Sequence, residues 1–232
     1  MDPRHRLIVA LDVSTSGAAR KIVAAVGDSA LAYKVGMQLF TAEGPAIVRE
    51  LVSSGRRVFL DLKYKDIPNT VGAAVREAGE LGVSMLTVHA SGGSKMLRAA
   101  VRAAQEVNPN LLVLAVTVLT SLDEPDLSML GIRGGVIEQV LRLAALALEN
   151  GCGGVVASAR EAEALREEFG NDFKIVTPGV RPAGSGTDDQ ARVVTPAEAI
   201  AAGASYIVVG RPITEASDPG AEARAILGQI AA

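Results

Sequence analysis

The 232-residue chain has no tryptophan, one cysteine and two histidines, and aromatic residues make up only 3% of it. The single cysteine, Cys152, excludes an internal disulfide framework and a cysteine-rich metal site. We interpret it as a small buried hydrophobic residue rather than a reactive thiol. The two histidines, His5 and His89, lie far apart and leave no set of zinc ligands. With so few rings, the core must consist of Val, Ile, Leu and Ala.

The chain also lacks a basic run, a charged tail and a long apolar stretch. Its 23 Lys and Arg residues and 26 Asp and Glu residues give a net charge of −3, which is typical of a poor nucleic-acid binder. No apolar stretch approaches the roughly 20 residues that a membrane span requires. The polar start, Met1 to Arg6, does not read as a secretory signal. These absences predict a soluble, cytoplasmic protein with neither nucleic acid nor membrane as a partner.

Eight short segments rich in β-branched residues recur along the chain. Most are continuous apolar runs, which are typical of parallel strands buried on both faces. The eight predicted strands are Leu7–Asp12, Leu31–Val35, Arg57–Lys63, Val83–His89, Leu111–Leu119, Gly154–Ser158, Phe173–Thr177 and Ser205–Gly210.

Segments rich in Ala, Leu, Glu and Arg lie between these strands and have helical spacing. Two helix starts carry a capping box, in which a hydroxyl and a carboxylate three residues later satisfy free backbone N–H groups; these are Ser158–Glu161 and Thr195–Glu198. Clear examples of the predicted helices are Val71–Leu81, Lys95–Val107, Val136–Asn150 and Ala159–Phe169.

The alternation of strands and helices predicts one closed (β/α)8 barrel over residues 1–232, with no linker that divides the chain. An open, doubly wound sheet is the alternative. Its dinucleotide-binding fingerprint is missing after the first strand, where Ser14–Gly17 stands instead.

Charged residues gather at the ends of the first three predicted strands, where a barrel strand should be apolar. They are Asp12, Lys34, Asp61 and Lys63, with Asp66 three residues further on. Ordinary salt bridges at the rim are one interpretation. Two lysines and three aspartates at three successive strand ends favour a functional array instead. A lysine between carboxylates stays charged, so it is a poor Schiff-base nucleophile but a good proton donor to a carbanion. Its ammonium also argues against Mg²⁺ among these aspartates.

A second group of residues follows the seventh and eighth strands. Gly179–Arg181 and Gly210-Arg211 each combine a glycine, beside which N–H groups can approach an anion, with a guanidinium. Barrels often bind phosphate at this place. The sequence therefore predicts a phosphate site there.

Two loops are longer than plain turns, Ser121–Gly135 and Arg181–Asp189. The second is rich in Gly and Ser and is predicted to be a lid, with a tolerated surface loop as the alternative. His89 ends the fourth strand. It is either a catalytic base or, the interpretation we favour, a neutral histidine hydrogen-bonded at the barrel mouth.

The ten residues Asp61–Thr70 read DLKYKDIPNT. They match the D-x-K-x-x-D-I-P-N-T signature of the orotidine 5′-phosphate decarboxylase family, and the chain resembles bacterial, type 1 members nearly end to end. One departure is Lys65, which stands where many members have histidine, at a position outside the family's catalytic groups. Further matching stretches, in the family's order, are Ala10–Asp12, Lys34–Gly36, Val88–Ala90, Thr117–Ser121, Val176–Pro182 and Val209–Pro212.

The resemblance implies a decarboxylation of orotidine 5′-phosphate to UMP and CO₂, in pyrimidine biosynthesis, with no metal and no cofactor. Lys63 would donate the proton to C6 of the pyrimidine, and Asp61 would lie against the departing carboxylate. Lys34 and Asp66 would complete an alternating charge network.

The resemblance also implies the groups that bind the substrate. Asp12 and Lys34 would bind the ribose hydroxyls, and Thr120 would meet the pyrimidine edge. The phosphate would be held under the lid by Arg181, Gln190, Gly210 and Arg211.

Three further residues, Asp66, Ile67 and Thr70, correspond to family residues that enter the active site of the neighbouring subunit. The resemblance therefore implies a homodimer whose two active sites are shared across the interface.

Two other functions stay open at this point. Sugar-phosphate decarboxylases of the 3-keto-L-gulonate 6-phosphate type share the barrel and D-x-K-x-x-D but use Mg²⁺; the stretches Ile67–Thr70 and Thr117–Ser121 favour the nucleotide enzyme. A non-catalytic barrel that senses pyrimidine phosphates would keep Arg181 and Arg211 but would not need the charged array.

Overall fold

The computed structural model describes residues 2–182 and 194–231. Eight parallel strands close into a barrel in chain order, with β1 hydrogen-bonded to both β2 and β8. The predicted (β/α)8 barrel is confirmed, and the open sheet is wrong. The strands are β1 Leu7–Ala10, β2 Ala32–Gly36, β3 Arg57–Tyr64, β4 Met85–His89, β5 Leu112–Val116, β6 Gly154–Val156, β7 Lys174–Thr177 and β8 Tyr206–Val209.

Helices connect successive strands and surround the barrel. Three short 3-10 helices, Pro3–His5, Gly27–Ser29 and Ala90–Gly92, supplement them. The described α-helices are α1 Ser16–Val26, α2 Met37–Glu43, α3 Pro45–Ser53, α4 Pro68–Glu80, α5 Ser94–Val107, α6 Glu124–Met129, α7 Val136–Glu149, α8 Ala159–Phe169, α9 Pro196–Ala201, α10 Arg211–Thr214 and α11 Pro219–Ala231.

The capping box of α9 forms completely, whereas that of α8 forms only its carboxylate half, because the Ser158 hydroxyl has no hydrogen-bond partner among the described residues. Glu161 Oε2 accepts a hydrogen bond from the Ser158 N–H (2.7 Å). Thr195 Oγ1 accepts from the Glu198 N–H (3.3 Å), and Glu198 Oε2 accepts from the Thr195 N–H (2.9 Å). Each bond satisfies an N–H group that has no partner within the first helical turn.

The core is aliphatic, as the composition requires. Cys152 lies in the larger apolar layer, between strands and helices; burial raises the pKa of its thiol to about 12, so it is the inert residue that was predicted. Within the described ranges no helix is long and apolar enough to cross a membrane. A second, smaller cluster consists of Ile8, Ala10, Ala32, Phe59, Met85, Leu114, Val176 and Val208, with Tyr206 packed against it.

Several predicted strands run past the carboxyl end of the observed ladder. The first ends at Ala10 rather than Asp12, and the fifth ends at Val116 rather than Leu119. Leu11 and Thr117 still donate backbone hydrogen bonds to Lys34 and Val156 of the neighbouring strands. Beyond them, Asp12 and Val118 line the cavity instead. The long loop Ser121–Gly135 contains α6. Most of the predicted lid lies within 183–193, outside the described residues.

Candidate active site

A cavity of about 490 Å³ opens at the carboxyl ends of the strands. This volume is within the usual range for small-molecule sites, and this end of the barrel is where such folds carry them. Eight of the predicted site residues line it together: Asp12, Lys34, Asp61, Lys63, Thr120, Arg181, Gly210 and Arg211.

Four charged side chains form a line of alternating sign along one wall of the cavity. Lys34 Nζ donates a hydrogen bond to Asp12 Oδ1 (2.7 Å) and lies 3.8 Å from Asp61 Oδ2. Lys63 Nζ donates to both carboxylate oxygens of Asp61, at 2.9 and 2.8 Å. The Lys34 and Asp61 side chains are only 12% and 13% exposed, so water screens their interactions less than those of surface pairs.

Strand β3 departs from regular pairing near its carboxyl end, where Asp61 and Lys63 lie. Leu60 pairs with Leu86 and Tyr64 with Val88, so three residues of β3 face a single residue of β4. Within this irregular stretch Lys63 has φ 52°, the one left-handed non-glycine residue of the described chain. Irregularities of this kind re-aim side chains at barrel rims, and here both charges face the cavity.

The absence of a side chain at Gly36 leaves space for the Lys34–Asp12 ion pair. A Cβ at this position would lie 3.0 Å from Lys34 Nζ and 3.1 Å from Asp12 Oδ1. Any larger residue would press on the pair. The sequence placed Gly36 in a matching stretch without assigning it this role.

Two guanidinium groups also line the cavity, from the ends of β7 and β8. Arg181 is buried, and its backbone N–H donates a hydrogen bond to the Val194 carbonyl (3.0 Å). Arg211 begins α10, directly after Gly210. The predicted phosphate residues therefore lie together, except that Gln190 falls outside the described residues.

Asp66, Ile67 and Thr70 lie apart from the charge line. All three are exposed, and within the described part of the chain none lines the cavity. Asp66 Oδ1 accepts a hydrogen bond from the Ile67 N–H (2.6 Å), while the Ile67 residue is 66% exposed. Of the five charged residues that were predicted to form one array, four therefore line the cavity of this chain. A role for these three residues in a neighbouring subunit stays a prediction.

His89 is half-buried at the end of β4. Burial lowers its pKa below the usual range, and the positive charges of Lys65 and Lys63 lower it further. The neutral form is therefore favoured, which agrees with the neutral part of the sequence interpretation, but no hydrogen bond of the His89 ring is present among the described residues.

Sequence reasoning missed Thr87. This residue of β4 is fully buried, and its hydroxyl donates to Asp61 Oδ1 (2.9 Å) and accepts from the Lys63 N–H (2.9 Å). Threonine is an ordinary strand residue. The only sequence feature that could have pointed to Thr87 is its hydroxyl within an otherwise apolar strand.

The chain is similar to known proteins over nearly its full length. A family model for the orotidine 5′-phosphate decarboxylase / HUMPS family matches residues 5–226. An orotidine 5′-phosphate decarboxylase of Moorella thermoacetica is 54% identical, covering 99% of this chain and 94% of that protein. The corresponding protein of Anaeromyxobacter dehalogenans is 53% identical, covering 97% of this chain and 98% of that protein.

Similarity in structure agrees with similarity in sequence. The crystal structure of orotidine 5′-phosphate decarboxylase from Lactobacillus acidophilus matches with a TM-score of 0.89 at 40% identity, covering 98% of this chain and 100% of that one. A full-length family match, relatives above half identity and a shared barrel all agree, and the chain belongs to the orotidine 5′-phosphate decarboxylase / HUMPS family.

Proposed function

We propose that this protein decarboxylates orotidine 5′-phosphate to UMP and CO₂ without a metal or cofactor. The observation that carries the proposal is the position of the Lys63 ammonium, held by both oxygens of Asp61 at the wall of the cavity. Family membership and the names of the relatives support the same reaction.

In the proposed complex the nucleotide spans the cavity from the arginines to the charge line. Arg181 and Arg211, with the small Gly210, take the phosphate, and we propose that Gln190 joins them. At the other end, Asp12 and Lys34 bind the ribose hydroxyls, and Thr120 contacts the pyrimidine. The phosphate is distant from the reacting carbon, so its binding energy is available for drawing the charged groups onto the base.

The proposed chemistry begins when the bond between C6 and the carboxylate breaks. CO₂ leaves, and the electron pair stays on C6 as a carbanion that no cofactor can absorb. The Lys63 ammonium stabilises this charge and then transfers a proton to C6, which yields UMP and a neutral amine that regains its proton from solvent. An ammonium that is already oriented needs little reorganisation as the charge develops.

Asp61 has two proposed roles. It holds the Lys63 ammonium through both of its oxygens, and its negative charge lies where the substrate carboxylate would approach. Like charges repel, so the bound carboxylate is destabilised until it leaves as neutral CO₂.

The remaining carboxylate of the network is proposed to come from a second copy of the chain. Asp66, Ile67 and Thr70 are exposed and are not among the described residues that line their own cavity, which suits residues that complete a neighbouring site. We therefore propose a homodimer with active sites shared across its interface.

The proposal is tested by the ultraviolet absorbance change of orotidine 5′-phosphate with purified protein in excess EDTA. We expect rapid conversion to UMP, because no step requires a metal. If conversion fails but Mg²⁺ supports turnover of a keto-sugar phosphate, the protein is the metal-dependent relative. If UMP binds tightly without any conversion of orotidine 5′-phosphate, the protein is a sensor.

Replacing Arg211 with alanine should weaken binding more than chemistry. Loss of one guanidinium contact to a phosphate raises KM by about 10- to 100-fold and changes kcat little. The variant should also lose most of the preference for orotidine 5′-phosphate over orotidine, which lacks the phosphate. Steady-state kinetics with both substrates measures each effect.

The matched control for this variant is Arg4→Ala, which removes an exposed arginine before β1, at the end of the barrel opposite the cavity. Its kinetics should equal those of the wild type. An unchanged kcat/KM in Arg211→Ala would refute the phosphate assignment.

A further inference from the structure

We propose that Thr87 is a positioning residue, which sets the orientation of Asp61 and Lys63 for the reaction. This inference rests on the proposed function and adds to it Thr87 of β4, a strand from which only His89 had been considered as a site group.

A single hydroxyl bonds to both charged residues. Thr87 Oγ1 donates its proton to Asp61 Oδ1 (2.9 Å) and accepts from the backbone N–H of Lys63 (2.9 Å). A threonine hydroxyl has one proton to donate, and that proton goes to the carboxylate. The backbone of one charged residue and the side chain of the other are thus tied to the same atom.

The register shift in β3 explains why this hydroxyl is needed. Leu60 and Tyr64 pair with residues on either side of Thr87, so the Lys63 N–H lies outside the regular ladder. A buried N–H without a partner is costly, and the hydroxyl of Thr87 accepts its hydrogen bond. The same bond restrains Lys63 at φ 52°, a conformation that persists only where its surroundings enforce it.

The bond to Asp61 fixes how that carboxylate presents its charge. Oδ1 receives both the Thr87 hydroxyl and the Lys63 ammonium, while Oδ2 contacts Lys63 and faces Lys34. With the hydroxyl removed, the carboxylate keeps its contacts with the two ammonium groups but loses its hydrogen bond from a buried hydroxyl. The Asp61–Lys63 pair is then held less firmly in one orientation.

Thr87 is fully buried and contributes no surface to the cavity as the described residues define it. It does not touch the substrate, and the phosphate end of the site is on other strands. Its loss should therefore reduce kcat and leave KM nearly unchanged, because substrate binding depends on groups that it does not reach.

The first experiment compares Thr87→Val with the wild type. Valine has nearly the same shape but no hydroxyl, so we expect kcat to fall by about 10- to 100-fold, with KM changed by less than about threefold. Thr87→Ser restores the hydroxyl and should recover most of kcat. Circular dichroism establishes that each variant is folded.

Thr177 provides a matched control. It is also a fully buried strand threonine, the last residue of β7, but its hydroxyl has no hydrogen-bond partner among the described residues. Thr177→Val therefore makes the same chemical change without removing such a bond, and kcat should stay within about twofold of the wild type.

A second measurement is independent of catalysis. Hydrogen exchange of the Lys63 amide, followed by NMR, should be slow in the wild type and in Thr87→Ser, but at least about tenfold faster in Thr87→Val. Equal protection of this amide in Thr87→Val and the wild type would overturn the proposal, even in a protein that proves to lack the proposed activity. In an active enzyme, a Thr87→Val variant with unchanged kcat, or with its loss entirely in KM, would overturn it as well.

Discussion

Replacing Lys63 with alanine is expected to lower kcat by at least about a thousandfold while leaving the barrel folded. The variant loses both the charge that faces the developing carbanion and the proton that quenches it. Binding should survive, because the arginines proposed to take the phosphate follow β7 and β8, whereas Lys63 is on β3. Absorbance kinetics gives kcat, and titration calorimetry with UMP gives the affinity.

Lys65→Ala is the appropriate control for this variant. Lys65 is two residues further along, exposed, and outside the cavity lining of the described chain, so the same loss of one ammonium should cost little activity. A Lys63→Ala enzyme with kcat within tenfold of the wild type would contradict the assignment of the proton donor.

Mixing two inactive variants should restore activity if the active sites are shared. Lys63→Ala removes a group from the variant's own site, whereas Asp66→Asn removes one from the partner's site. In a mixed dimer both defects fall in one site, and the other site is intact. With random pairing, about half of the dimers are mixed, so about a quarter of all sites should be active.

A second pair of variants serves as the control. Lys63→Ala and Asp61→Asn both act within one chain, where the two side chains are 2.8 Å apart, so each mixed dimer has one defect per site and no recovery. Activity is measured after co-expression of each pair. If the pair containing Asp66→Asn also fails to recover, Asp66 acts in its own subunit and the shared site is wrong.

The fold was largely predictable because the strands follow a simple chemical rule. Strands that are buried on both faces must be apolar, and eight such runs stand out in a chain with few aromatic residues. For the same reason, the predicted strands extend too far at their carboxyl ends. Residues such as Val118 stay apolar and buried at the barrel mouth after they have left the ladder, so composition alone does not mark the last hydrogen bond.

Site residues that are unusual at the end of an apolar strand could be predicted from the sequence, whereas a residue that is common in strands could not. Charges at the end of an apolar strand need an explanation, so Asp61 and Lys63 were identified before the structure. The register shift that brings them to the cavity has no sequence signal, because it follows from pairing with β4. Thr87 was missed because one hydroxyl in a strand attracts no notice until its two partners are known.

The backbone of Lys63 has an evolutionary consequence. A left-handed conformation costs a lysine about 1 to 2 kcal/mol, and glycine or asparagine would adopt it more easily. Neither of them carries an amine. Selection for stability alone would therefore favour replacing Lys63, and the proposed role as proton donor supplies a reason for a lysine in this conformation.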